Sequence, residues 1–407
     1  MTEQLRIGIA CFATYGGSGV VATELGREMA RAGHRVHFIS NQLPFRLQQG
    51  EFLENVYYHE TVSTTYDVIP AAMFGFEIAS KITQIALDEK LDLLHAHYAV
   101  PHAISGITAK QVLKPRELKI VTTLHGTDIT LVGRHPAFFP LTKWAIEQSD
   151  AVTTVSHWLR EETLRTFGIE NSIHVIHNFV DTTRFSTERQ ACRRKHFAAD
   201  NEKIILHVSN FRPVKRLDDV VHVFARIAES MPAKLVLIGD GPERERTLEL
   251  ARRLGVMDRT HFLGKQNLIE HYYAIADLLL FPSEYESFGI TALEAMSASL
   301  PVVATTGSGL SEVVEEGVTG FLRPVGDVPA LAEACQRILQ DDALAVRMGQ
   351  AGRRRAEQCF QAKAIAQSYL DLYRSVMNGV KYPPPAPCKP EPAVVQTVPI
   401  SSSSLII

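Results

Sequence analysis

The strongest constraint on this chain is a pattern that occurs twice: short, nearly unbroken apolar runs separated by longer stretches of helical spacing. The first series reads LRIGIACF (5–12), RVHFIS (35–40), LDLLHAH (91–97), KIVTTLHG (119–126), DAVTTVS (150–156) and IHVIHN (173–178). The second reads IILHVSN (204–210), KLVLIGDG (234–241), THFLG (260–264), DLLLFPS (277–283) and LPVVAT (300–305). Runs that do not alternate belong to strands buried on both faces, and parallel strands need helical crossovers. Each series therefore predicts an open parallel sheet wrapped by helices, an α/β class with two Rossmann-like, doubly wound domains.

Helices are expected over 19–32, 216–230, 242–254, 268–275, 289–298, 309–316, 328–339 and 361–378. The polar stretch DTTRFSTERQACRRKHFAADNEK (181–203) separates the two series. The expected domains are 1–185 and 186–360, with the helix 361–378 packing back on the first. Ligands of open parallel sheets collect beyond the strands' carboxyl ends, so two facing sheets define a cleft between domains. Beyond 379 the prolines and the closing SSSSLII predict a disordered tail.

A net charge of −3 over 407 residues gives no basis for binding nucleic acid or an anionic membrane, so any anion site is local. The five cysteines are scattered and lack CxxC spacing, which suggests neither a disulfide framework nor zinc. The opening MTEQLRIGIACF is too short in apolar residues for a span and acidic where a signal peptide is basic. A cytoplasmic protein without stable membrane insertion is expected.

Four motifs carry chemistry. YGGSG (15–19) links the first strand to a helix, where Gly17 and its neighbours let backbone approach a ligand and the helix start favours anions. It is neither G-x-G-x-x-G nor a P-loop, which disfavours a nicotinamide oxidoreductase. SNFRPVKR (209–216) places Arg212 and Lys215 at a strand-to-helix turn, as a planar fork and a point charge able to flank a diphosphate. In SEYESFGITALEAM (283–296), Glu286 lies just after a strand and Glu294 about one and a half turns into a helix. Between them the amides of Phe288, Gly289 and Ile290 cluster at a helix start. The two acids can hold opposite, hydroxyl-rich ends of one ligand with an anionic middle, which describes a sugar nucleotide. His125 in LHGTDI stands at a strand end beside a glycine and is the candidate for touching a sugar. His95 and His97 read as core or hydrogen-bonding residues, since no acid-interleaved pattern supports zinc. RRR (353–355) reads as a solvated helix face.

These motifs, with GDGPE, FLGKQ and PVVAT, resemble the family 4 retaining glycosyltransferases over about residues 5–375. That resemblance implies the GT-B fold. ATYGGSGVVATELG, HAHYAVPHA and TTLHGTDITLVG are more specifically similar to the branch that glycosylates malate at the entry to bacillithiol biosynthesis. The resemblance implies UDP-N-acetylglucosamine as donor and L-malate as acceptor, with no cofactor and no metal; a homodimer is a separate expectation, and the sequence does not fix the oligomeric state. By position, Arg212 and Lys215 would neutralise the diphosphate, Glu294 would take the ribose hydroxyls, and Glu286 those of the sugar. His125 would meet the sugar near its 6-position, Gly17 would give backbone access, and Asn210 and Gln266 would complete the donor site. Ser18, Tyr98, Thr127 and Lys143 fall in the acceptor loops, although the family shows Arg where Lys143 stands. Its GGIPEV reads SGLSEV (308–313) here, with Glu312 kept. A different acceptor, or a nonenzymatic nucleotide-sugar sensor, are the alternatives; a sensor would be expected to lose one of these groups.

The expected reaction proceeds with retention by front-face attack, the departing phosphate acting as base. Its main demand is stabilising charge on the leaving diphosphate, which preplaced donors supply at roughly 3–4 kcal/mol each.

Overall fold

The computed structural model describes residues 4–13, 17–48, 52–61, 74–185 and 191–383. The expected tail lies outside them from residue 384 on, as do Tyr15 and Gly16 of the first glycine motif and the point 186 where the second domain was expected to begin. No helix among the described residues is long and apolar enough to cross a membrane.

Two parallel sheets organise the chain. The first contains β1 (Arg6–Ala10), β2 (Arg35–Ser40), β3 (Val56–Glu60), β4 (Leu93–His97), β5 (Lys119–Leu124), β6 (Ala151–Thr154) and β7 (Ile173–Val175). Their order is β3-β2-β1-β4-β5-β6-β7. The second contains β8 (Lys203–Val208), β9 (Ala233–Ile238), β10 (Thr260–Phe262), β11 (Leu278–Phe281), β12 (Val302–Thr305) and β13 (Gly320–Arg323), in the order β10-β9-β8-β11-β12-β13. Both orders reverse direction beside the first strand of their series, where doubly wound sheets open a crevice. Central strands are buried on both faces, as their apolar runs require: β4, β11 and β12 have no exposed residue.

An aspartate just before a strand recurs as a register device. Asp92, ahead of β4, accepts the amide of Arg6 in β1 at 2.8 Å. Asp150 does the same for Ile120 of β5 at 2.7 Å, and Asp277 for Ile204 of β8 at 2.7 Å. Each satisfies an N–H at the start of the neighbouring strand, on its first or second residue.

The chain crosses between lobes twice. Leaving β7, it runs through Val180, whose amide donates to the Phe360 carbonyl at 3.0 Å, and Val180 and Gln361 form an isolated parallel bridge. The last helix, Ala362–Met377, then returns to the first lobe, where Tyr369 and Tyr373 are buried with Leu25 and Met29 of the helix Gly17–Arg31. RRR corrects the sequence reading. It lies on the helix Asp342–Cys359, but only Arg354 is exposed. Arg353 Nη1 donates to the carbonyls of Thr182 and Phe185, both at 2.9 Å, and to that of Ser297. Arg355 donates to the carbonyls of Val313 and Glu312 at 2.8 and 2.9 Å. Arg353 thus clips the first crossing to the second lobe, while Arg355 ties its helix to the Glu312–Val313 turn of the same lobe. Of the cysteines, Cys11 and Cys335 are buried free thiols, whereas Cys359 is disulfide-bonded, which the scattered spacing did not suggest.

Candidate active site

The carboxyl ends of β4 and β5 carry one wall of the site. Tyr98 follows β4 with φ +90°, a conformation costing a bulky residue on the order of 1–3 kcal/mol. Its hydroxyl donates to Ser18 Oγ at 2.7 Å and is also hydrogen bonded to the Thr127 side chain. The strained tyrosine thus ties the start of helix 17–31 to the loop after β5. Three of the four residues expected at the acceptor stand together. Burial pushes the Tyr98 phenol up to about 12; the positive charge of Arg212, from the other lobe, acts in the opposite direction. Lys143 is not in this cluster: its ion-pair partner is Glu147, one turn along its own helix, at 3.7 Å.

Asp128 holds the loop itself. Its buried carboxylate accepts the amides of His125 (3.2 Å), Gly126 (3.0 Å) and Ala99 (3.1 Å), joining the loops that follow β4 and β5. Burial raises its pKa to about 6. This residue was missed, although an acid two positions after the glycine of LHGTD is a local signal for an amide-binding turn. His125 Nε2 lies 2.8 Å from His97 Nδ1.

The opposite wall comes from β8 and β11. Arg212 is exposed and starts the short turn Pro213–Lys215. Lys215 makes an ion pair with Glu286, both side chains being largely buried, and its ammonium sits 5.4 Å above the Phe281 ring. The sequence analysis assigned these two opposite-charge residues separate partners; the structure pairs them with each other. Phe288 is buried, Gly289 has φ +100° and Ile290 begins the helix Ile290–Ser297. A Cβ at Gly289 would come within 2.5 Å of Leu310, so glycine is required there on both counts. Asn210 is exposed beyond β8. Gln266 is engaged locally, donating to Leu263 O at 2.7 Å and accepting from Tyr272 at 2.9 Å. Gly17 has open space where a Cβ would stand.

Glu294 is buried in a groove shared by both lobes, with Val20, Glu24 and Arg184 on the facing side. Tyr273 donates to its Oε2 at 2.9 Å. Burial outweighs that bond and raises its pKa to about 7. Because the folded value lies above the ordinary 4.5, the favourable contribution is full below 4.5 and is lost as pH rises through about 7. Ribose hydroxyls bind a carboxylate better than a carboxylic acid. On the ribose role that the family resemblance implies for Glu294, UDP affinity is expected to rise as this carboxyl ionises around pH 7, and Glu294→Gln to flatten the profile; calorimetric titration across neutral pH checks both.

The lobes touch at the site. Ser156 Oγ donates to Ser287 O at 2.5 Å. Glu312 accepts the amides of His157 (2.9 Å) and Trp158 (2.8 Å), capping the helix His157–Phe167 from the other lobe, and bonds His177 Nε2 at 2.9 Å. Burial alone would raise its pKa, but His177 and the two amides outweigh burial and hold it below its usual range. His157, His177 and Glu312 offer ligand atoms within 4.8 Å of one another, but both carboxylate oxygens already accept hydrogen bonds. Glu312→Ala is expected to cost about 1 kcal/mol, as lost helix caps do, and to increase the radius of gyration measured by X-ray scattering. The SGLSEV departure places the buried Ser308 Oγ where it has no hydrogen-bond partner among the described residues. Gly309 remains where a Cβ would lie 2.3 Å from Ser287 O, while Ser308 needs no positive φ and Ser311 donates its amide to Ser308 O.

Two nucleotide-binding-type sheets facing a cleft, with a cationic turn on one wall and a hydroxyl cluster on the other, define a glycosyltransferase of the GT-B class. Residues 188–355 match the family model for group 1 glycosyl transferases, and residues 15–184 that for Glycosyltransferase Family 4. The chain is 42% identical over 379 residues to the N-acetyl-alpha-D-glucosaminyl L-malate synthase of Bacillus anthracis, covering 93% of this chain and 99% of that one. It is 28% identical to the D-inositol 3-phosphate glycosyltransferase of Kribbella flavida, over 88% and 91%. Among solved structures, Anabaena HepE in complex with UDP and glucose superposes with a TM-score of 0.79 at 21% identity, covering 91% of this chain and 100% of that one. The chain belongs to glycosyltransferase family 4.

Proposed function

We propose that this chain transfers N-acetylglucosamine from UDP-N-acetylglucosamine to the hydroxyl of L-malate, with retention, as the first step of bacillithiol biosynthesis. The observation that carries the reading is the 42% identity, along nearly the whole of both chains, to a relative bearing that activity in its name. The Ser18–Tyr98–Thr127 cluster facing Arg212 supports it as the place where a small hydroxy acid meets the donor.

In this reading Lys215 leaves Glu286 when the donor enters. The ammonium turns to the diphosphate with Arg212, and the released carboxylate accepts the sugar's hydroxyls. An ion pair buried to this degree is costly to break without replacement, so the exchange favours a ligand that supplies both an anion and hydroxyl donors. Glu294 takes the ribose, and the amides of Phe288, Gly289 and Ile290 line the phosphate and sugar. Gln266, Asn210 and Gly17 border the nucleotide and the diphosphate. His125 meets the sugar's 6-hydroxyl, and Lys143 is the candidate cation for malate's far carboxylate. A cytoplasmic homodimer completes the proposal, and light scattering of the purified chain tests its size.

The decisive assay is incubation with UDP-N-acetylglucosamine and a panel of hydroxy acids and cyclic polyols, following UDP release and the glycoside formed. Malate-dependent UDP release with an α-linked product is expected. Release that depends on another alcohol moves the chain to a different acceptor, and no release with any overturns the reading.

A further inference from the structure

The carboxyl ends of β4 and β5 bring four histidines together, and the reading so far uses only one of them. His95 and His97 pack their rings 4.2 Å apart, and His97 stacks on His125 at 5.1 Å. His102 Nδ1 lies 2.7 Å from the backbone carbonyl of His97. A carbonyl only accepts, so His102 carries its proton on Nδ1. His95 spans Tyr373 (2.7 Å) on one nitrogen and Thr123 (2.6 Å) on the other, which anchors the last helix beneath the site. Burial lowers the pKa values of His95 and His125 to about 3 and that of His102 to about 4, and takes that of His97 well below the usual value. All four are neutral at neutral pH, with one N–H each.

The contact between His97 Nδ1 and His125 Nε2, 2.8 Å apart, must then share a single proton. Two arrangements satisfy it. If His125 donates, His97 must carry its own proton on Nε2. That atom is fully buried and has no hydrogen-bond partner among the described residues. Orphaned buried N–H groups are rarer than under-satisfied acceptors. If His97 donates, its Nε2 is a bare ring nitrogen and no N–H is stranded. His125 then accepts at Nε2 and carries its proton on Nδ1. That nitrogen bonds no described residue, and the ring is only partly buried.

We infer that His97 is a positioning residue that fixes the Nδ1–H tautomer of His125, so that the loop presents the cleft with a hydrogen-bond donor rather than an acceptor. The inference rests on the proposed function for what the donor meets: the oxygen at the 6-position of the transferred sugar. The tautomer itself is a property of the free protein.

Two readouts test it separately. Long-range 1H–15N correlation spectra of the ligand-free chain, labelled at histidine and assigned by single substitutions, report which His125 nitrogen is protonated. Protonation at Nδ1 is expected; protonation at Nε2 overturns the inference whatever the acceptor proves to be. For the second, His97→Asn keeps an N–H near the position of Nδ1, whereas His97→Leu fills the site without a donor. His97→Leu is expected to lower kcat/KM for UDP-N-acetylglucosamine about three- to tenfold, the value of one neutral hydrogen bond, and His97→Asn to restore most of it. The penalty should vanish with a 6-deoxy donor, which offers no oxygen to bind. A penalty of the same size for both substitutions and both donors would mean a packing role and would overturn the inference. Failure of the malate assay with Nδ1–H observed would overturn the function alone.

Discussion

Replacing Lys215 by alanine is expected to lower kcat by about 10²–10³-fold, the range measured when one preplaced donor to a developing anion is removed. The effect should fall on kcat and kcat/KM alike, with the acceptor's KM little changed, because the ammonium is needed most when the diphosphate departs. The structure adds a second consequence. Lys215 is the ion-pair partner of Glu286, and both are largely buried. Without the lysine, Glu286 is left as an uncompensated carboxylate, and removing one partner of a buried pair destabilises more than the pair was worth. Lys215→Ala should therefore also melt at lower temperature, and the double variant with Glu286→Gln should recover stability without recovering turnover. Steady-state kinetics beside calorimetry separates the two. Turnover unchanged in Lys215→Ala would remove it from the diphosphate.

Gly126→Ala should cost at least tenfold in kcat/KM, for a reason with no chemistry in it. A Cβ at Gly126 would stand 1.7 Å from Ser287 Oγ and 2.8 Å from Ser287 Cβ, across the gap between lobes. The residue also holds φ +111°, where alanine is strained by more than about 1 kcal/mol. Ser287 Oγ can rotate away but its Cβ cannot, so the methyl props the lobes apart. Adding Ser287→Gly removes the clash and leaves the backbone strain, so activity should return in part. A scattering profile more open than the parent's, with closure restored in the double variant, checks the mechanism. Equal loss in both variants would assign the whole effect to the loop's own conformation.

The fold was legible because both sheets are built from strands that cannot be anything else: β4, β11 and β12 are apolar on both faces and flanked by helical spacing. What escaped was one edge strand of each sheet. β3, VYYHE, is half-buried, and β13, GFLR, is short and begins with glycine, so neither shows the unbroken run that marks a central strand. Within the candidate site, the groups with strong local context were found, and the structure brings Lys215 to Glu286 and Tyr98 to Ser18 and Thr127. The contacts that join the lobes were not readable. Glu312 meets the amides of His157 and Trp158, and Arg353 meets the carbonyls of Thr182 and Phe185, more than 150 residues away. Nothing in a run of three arginines shows that two of them will turn inward.

The paired crossings have a mechanical outcome. A single tether would let one lobe swivel and slide freely against the other. Here two chain segments pass side by side, joined by the Val180 amide and the Arg353 guanidinium. Two parallel straps behave like the pins of a door: they permit swinging about their shared line and resist twisting or shearing off it. Opening to admit substrates and shutting upon them would then retrace a single arc, returning the Ser287 turn to the same spot against Gly126 at every cycle.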